Sequence, residues 1–88
     1  MIDIDYTPIT KKSEDLIKKR IKQLGLVKTG KLLNSISVSY DGNVFLVTAE
    51  DYFSVLDEKH NISDYVFNSP EFISFVENYM VEQIEKQI

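Results

Sequence analysis

The chain has 88 residues with ten basic and fourteen acidic side chains, a net charge of −4, and no cysteine. At this length it forms one domain with a small core and modest stability of its own, and its 43% apolar content speaks against disorder. The lack of cysteine excludes disulfides and thiolate metal sites and fits a reducing compartment. No apolar run approaches the length of a membrane span, and the opening Met1-Ile2-Asp3-Ile4-Asp5 lacks the basic-then-apolar layout of a signal peptide. A soluble, unexported protein is therefore expected.

Charge is distributed unevenly. Residues 11–31 hold eight Lys or Arg against Glu14 and Asp15, a net of +6, whereas residues 32–88 hold Lys59 and Lys86 against ten carboxylates, a net of −8. Two solvated faces of opposite sign would account for this. So would a basic face of one copy meeting an acidic face of the next, a heterologous contact that closes into a ring where the rotation permits.

In chain order, residues 1–9 read as an extended arm or edge strand, with Ile2, Ile4 and Tyr6 alternating against Asp3 and Asp5. Pro8 ends it, and Thr7 or Thr10 can cap the helix after it. Residues 10–88 form a single α+β domain. Its first helix is predicted from Lys11 to Leu24, with Leu16, Ile17, Ile21 and Leu24 on one stripe and Lys12, Lys18, Lys19, Arg20 and Lys22 over the rest. Glu14 and Asp15 near its start suit the helix dipole, and Gly25 supplies a left-handed C-cap.

Leu26 to Ile36 must then turn the chain from helix to hairpin. Thr29 can cap a short turn, Gly30 eases the backbone into it, Leu32, Leu33 and Ile36 bury one side, and Asn34 and Ser35 close it. Ile36–Tyr40 and Val44–Ala49 alternate around Asp41-Gly42, a hairpin signal. With Asp41-Gly42 at the tip, Tyr40 pairs with Asn43, Val38 with Phe45 and Ile36 with Val47. Ile36, Val38, Tyr40, Phe45, Val47 and Ala49 then share the core face. Ser35, Ser37 and Ser39 lie on the other face, where Val44 and Leu46 are out of place unless an element or a neighbouring subunit covers them.

Asp51–Asp57 reads as a short helix capped by Glu50 or Asp51, and Lys59–Asp64 as a polar loop. Tyr65-Val66-Phe67 reads as a short third strand. Ser69-Pro70-Glu71 is a helix start: a hydroxyl cap, proline at the first position and an acid in the first turn. The last helix carries Phe72, Ile73, Val76, Met80, Ile84 and Ile88 on a stripe, widened by Phe75, Tyr79 and Val81, and is expected to pack on the sheet.

Little points to catalysis. His60, the one histidine, lies in a polar stretch. Ser35, Ser37 and Ser39 carry no activating motif. The pairs Glu50-Asp51 and Asp57-Glu58 lack metal-loop spacing, and Gly30 and Gly42 serve turns rather than a phosphate loop. The expectation is a non-enzyme without cofactor or metal. The basic first helix, with Lys28 and Lys31 nearby, could neutralise phosphates, but the aromatics lie among carboxylates.

Val27-x-Thr29-Gly30-x-Leu32-x-x-Ser35-Ile36, following a helix and preceding a hairpin, resembles the motif of small head–tail joining, or tail-completion, proteins of long-tailed bacteriophages. The aromatic segment Asp51–Glu58 and the junction Phe67-Asn68-Ser69-Pro70-Glu71-Phe72 are similar to further features of that family, in the same order. Lys59-His60-Asn61 departs from it, standing where members carry a glycine.

The resemblance implies a structural virion protein of the neck or tail, assembled in the bacterial host cytoplasm. It would form a ring of identical subunits with other phage neck or tail proteins as partners, DNA as passing cargo, and no membrane. In that picture Lys18, Lys19, Lys22, Val44, Leu46, Asp57 and Glu58 are candidate subunit contacts, and Thr29, Gly30, Leu32 and Ser35 form the structural corner. The alternative is a small nucleic-acid-binding or regulatory partner protein using the basic first helix.

Overall fold

A computed structural model describes residues 4–26, 30–42, 44–51 and 53–86. The fold is α+β, with five helices around a two-stranded antiparallel sheet: α1 (Thr7–Gln23), α2 (Lys31–Ser35), β1 (Ser37–Tyr40), β2 (Phe45–Thr48), α3 (Phe53–His60), α4 (Ile62–Phe67) and α5 (Pro70–Lys86). The core gathers Ile9, Leu16, Ile17 and Ile21 of α1, Leu32, Ile36, Val38, Phe53, Ile62 and Val66, and Phe72 of α5. α1 lies at its centre and packs on α4, β1 and α5.

α1 begins four residues before the expected Lys11. Pro8 does not end a strand but sits in the first helical turn, where its missing amide costs nothing. The Asp5 carboxylate, not a threonine, accepts the Thr7 amide at 2.9 Å, while the Thr10 hydroxyl bonds back to the Thr7 carbonyl. Of the supposed extended lead-in, residues 7–9 are thus helical, and Ile9 enters the core at 1% exposure. The earlier start also leaves no acid in the first turn, so Glu14 has another role. At the other end the Gly25 prediction holds: at φ +70, its amide bonds to Lys22 and that of Leu26 to Ile21, a Schellman closure.

In the corner, Leu32 is buried. The Ser35 hydroxyl donates to the Leu32 carbonyl and accepts the Glu50 amide, tying α2 to the exit of the hairpin. Gly30 has an ordinary helical φ of −71, so freedom from a Cβ is not what places glycine there. The cap assigned to Thr29 lies outside the described residues, as do Val27, Lys28, Asn43, Tyr52 and Ile88.

The hairpin register differs by two residues from expectation. Tyr40 pairs with Phe45, Val38 with Val47, Ser39 with Leu46 and Ser37 with Thr48. Asp41 is tied across the turn to Val44 instead of standing at the tip: its amide donates to the Val44 carbonyl and its carboxylate accepts the Val44 amide. Gly42, at φ +103, takes the turn position that a side chain would strain. A slip of two preserves parity, so the predicted core face survives. Val38 is buried and Tyr40, Phe45 and Val47 half-buried, while Ser37, Ser39, Leu46 and Thr48 are exposed.

Tyr65-Val66-Phe67 is not a third strand but the end of α4. Three β-favouring residues lose here to helical context, because Ile62 and Val66, one turn apart, are both buried. The expected 59–64 loop is helical too. α3 runs through His60, and Asn61 alone, in the left-handed region at φ 52, breaks it from α4. At the start of α3 the Glu50 backbone carbonyl accepts the Phe53 amide. The start of α5 is as predicted, with the Ser69 hydroxyl accepting the Phe72 amide.

α5 reaches the sheet through Phe72, set edge-on to Phe45 at 6.3 Å, and packs against α1 and α4. Its inward face is Phe72, Phe75, Val76 and Tyr79. Ile73, Val81 and Ile84, which the predicted stripe placed inward, are 43%, 54% and 37% exposed.

Candidate subunit interface

The outward side of α1 carries Lys11, Lys18, Lys19 and Lys22, spaced by helical turns around Asp15. Lys11, Lys19 and Lys22 are exposed and Lys18 is half-buried. Part of this charge is answered within the chain. Glu71, in the first turn of α5, receives Lys12 at 3.3 Å and Lys19 at 3.8 Å. Both bonds lie at the surface, where an ion pair is worth about 0–1 kcal/mol and is readily exchanged for another partner. Lys12 also sits over the Phe75 ring at 5.6 Å.

Arg20 turns away from this lysine row and lies on the Tyr65 ring at 3.8 Å. Its Nε is buried with no hydrogen-bond partner among the described residues. The pair stands in an open groove of about 310 Å³ between α1 and the start of α5, which Lys19, Gln23, Ser69 and Glu71 also line. With Lys19 and Arg20 against Glu71 on its wall, the groove carries one net positive charge.

Val44 and Leu46 are 51% and 48% exposed on the outer face of the hairpin. With the 65–67 segment helical, none of the described elements adds a strand beside them. Asp57 and Glu58, paired in the sequence reading as interface acids, have different situations. Asp57 accepts the Ser63 amide at 2.6 Å and its hydroxyl at 2.8 Å, so it caps the first turn of α4 from the preceding helix. Its carboxylate is occupied within the domain, whereas Glu58 is exposed. The acids best placed to meet a neighbour are Glu77, Glu82 and Glu85, exposed along α5 beside Val81 and Ile84.

The structure therefore brings the basic row, the uncovered hairpin face and an acidic, partly apolar α5 surface to the outside of one small domain. Reasoning from sequence missed Glu14, whose carboxylate accepts the Val38 amide at 2.8 Å and fastens α1 to β1. A signal was there: Glu14 stands three residues before Ile17 and seven before Ile21, on the rim of the buried stripe. Arg20 on Tyr65 left no such mark.

Titration is shifted at two tyrosines and one acid. Loss of surrounding water, and then the neighbouring Tyr6, raise Tyr40 above the usual tyrosine value, and loss of water followed by Asp5 does the same for Tyr79. Hydrogen bonds from Thr7 lower Asp5. All three belong to the strap between α1, the hairpin tip and α5.

Among the described residues, no group of three or more His, Cys, Asp or Glu is placed to hold a metal ion, and no helix is long and apolar enough to cross a membrane. No protein-family model matches the chain, no curated protein matches it, and no solved structure matches it.

Proposed function

We propose that the chain is a structural, non-enzymatic virion protein. Copies would assemble into a ring at the head–tail junction or tail end of a long-tailed bacteriophage, with DNA passing through the channel. The observation that carries the assembly is the outer face of the hairpin, where Val44 and Leu46 stand half-exposed with none of the described elements over them. The opposed charges of α1 and α5 support it. The phage setting rests on the helix–corner–hairpin resemblance around Gly30, Leu32, Ser35 and Ile36.

In this reading Lys18, Lys19 and Lys22 of one protomer meet Glu77, Glu82 and Glu85 on α5 of the next, and Lys19 exchanges its own Glu71 for a neighbour's carboxylate. The contact is heterologous, and so it propagates around a closed ring. The departure at Lys59-His60-Asn61 falls at the α3–α4 break.

Joint charge reversal at Lys18, Lys19 and Lys22 tests the reading. The folded monomer should persist by circular dichroism while higher-mass species disappear by light scattering. Rings that survive the triple reversal would remove the α1 interface. If the triple variant instead loses a salt-sensitive gel shift on DNA that the wild type shows, the basic row serves nucleic acid.

A further inference from the structure

The two edges of the hairpin are unlike. Because the Asp41 amide donates to the Val44 carbonyl, alternation along the ladder makes 39/46 and 37/48 the next hydrogen-bonded pairs. The backbone groups of Val38 and Tyr40 on β1, and of Phe45 and Val47 on β2, then point away from the partner strand. On β1 that side is closed: Glu14 takes the Val38 amide at 2.8 Å, and α1 packs along the strand. On β2 the sheet ends, and among the described residues the Phe45 and Val47 amides find no hydrogen-bond partner.

Natural edges are usually blunted by a lysine, a proline or a bulge, because a bare row of amides and carbonyls recruits another strand. β2 reads Phe45-Leu46-Val47-Thr48, with none of these. We infer that β2 is a pairing edge whose occupant is β2 of a second copy, laid antiparallel about a two-fold axis through Leu46 to give a four-stranded sheet.

The register is set by the outward groups. Phe45 exchanges both backbone hydrogen bonds with the partner's Val47, and Val47 with the partner's Phe45. Leu46 then faces its own counterpart as a non-hydrogen-bonded pair, the closer kind, and Val44 faces the partner's Thr48 on the same outer surface.

Two features select a second copy over a foreign strand. With β1 closed by α1, the sheet cannot extend head to tail, so its single open edge can meet only itself in a copy, and growth stops at four strands. β2 also carries no charge, so two copies meet without like-charge opposition, and nothing in the strand discriminates in favour of an oppositely charged segment. The contact rests on the same outer hairpin residues, Val44 and Leu46, that carry the proposed assembly, but it leaves the α1 lysines free, so the strand pair and the lysine contact can be broken one at a time.

The chain has no cysteine, which makes a direct test simple. Under mild oxidation Leu46→Cys should give a covalent dimer: opposed Cα atoms of a non-hydrogen-bonded pair lie about 4.5 Å apart, inside the roughly 4.4–6.8 Å that a disulfide spans. Thr48→Cys, on the same face but opposite Val44, should stay uncrosslinked. Leu46→Lys places two like charges in direct opposition and should halve the mass of the wild-type species, with the fold kept because position 46 faces solvent. Added salt should leave the strand pair intact while weakening contacts made by the α1 lysines, so the two interfaces fail separately. Equal crosslinking of both cysteine variants would overturn the register and the axis. A wild type that stays monomeric, with the Phe45 and Val47 amides exchanging freely, would overturn the second-copy occupant.

Discussion

Replacing Glu14 by alanine should show how the helical and β parts of this domain are joined. The carboxylate accepts the Val38 amide at 2.8 Å, and Val38 itself is 6% exposed, so water is poorly placed to replace Glu14 as the acceptor of that amide. A hydrogen bond to a charged group contributes about 1.5–3 kcal/mol net, and an orphaned buried donor costs about as much. Regained rotamer freedom of the shortened side chain offsets part of this, leaving a loss of about 2 kcal/mol. For a domain of this size, each kcal/mol lowers the melting temperature by roughly 4–8 °C, so the midpoint should fall by about 8–16 °C.

Calorimetry gives the total, and amide exchange gives the location: the Val38 amide should lose protection before those of Ser39 or Ser37, whose bonds lie inside the ladder. Glu14→Gln keeps an acceptor at the same place and should recover about half of the loss. If Glu14→Ala melts with the wild type, or if glutamine is as damaging as alanine, then the carboxylate is not what fastens α1 to β1.

Other positions can be checked in the same way. Asp57→Ala removes the cap of α4 and should cost about 1–2 kcal/mol in denaturant unfolding; unchanged stability with failed assembly would return Asp57 to the subunit interface. Asn61→Gly should be neutral or slightly stabilising, while Asn61→Val should lose about 1–2 kcal/mol, because a branched side chain resists the left-handed region. Gly30→Ala should stabilise by about 0.4–1 kcal/mol, since φ is −71 and an added Cβ would meet only the Asn34 side-chain Nδ2 at 3.5 Å. Tyr40 and Tyr79 have values raised in the folded state, so unfolding releases their protons more readily. Stability should therefore be flat below the ordinary tyrosine value near 10.0 and fall as pH rises through the raised values. Tyr79→Phe combined with Tyr40→Phe should flatten that fall in chemical-denaturation curves taken across the alkaline range.

What could be read from the residues was whatever depends on period and local chemistry. The α1 stripe, the Gly25 closure, the Ser69-Pro70 start and the core face of the hairpin all follow from spacing, and the last survived a wrong register because a shift of two leaves parity untouched. The errors arose where a local preference met a tertiary alternative. Pro8 looked like a terminator because its Asp5 cap lies outside the predicted helix. Tyr65-Val66-Phe67 looked like a strand because the burial of Ile62 one turn earlier is invisible to propensity. Of the interface candidates, Val44 and Leu46 were legible as apolar residues on a polar face, and the structure leaves them exposed. Asp57 was not, because its partner Ser63 becomes a neighbour only once Asn61 bends the chain.

Asp5 and Tyr6, just ahead of α1, hold more than a helix start. The Tyr6 ring stacks on Tyr40 at 4.2 Å, and Tyr40 leads through Phe45 to Phe67 and Phe72 in an unbroken file of rings. The Asp5 carbonyl takes the hydroxyl of Tyr79, halfway along α5. A neighbour that drew these two residues aside would slacken the hairpin tip and the last helix in one movement. The pre-helical segment thus ties the hairpin tip and the last helix to the start of α1 at one point.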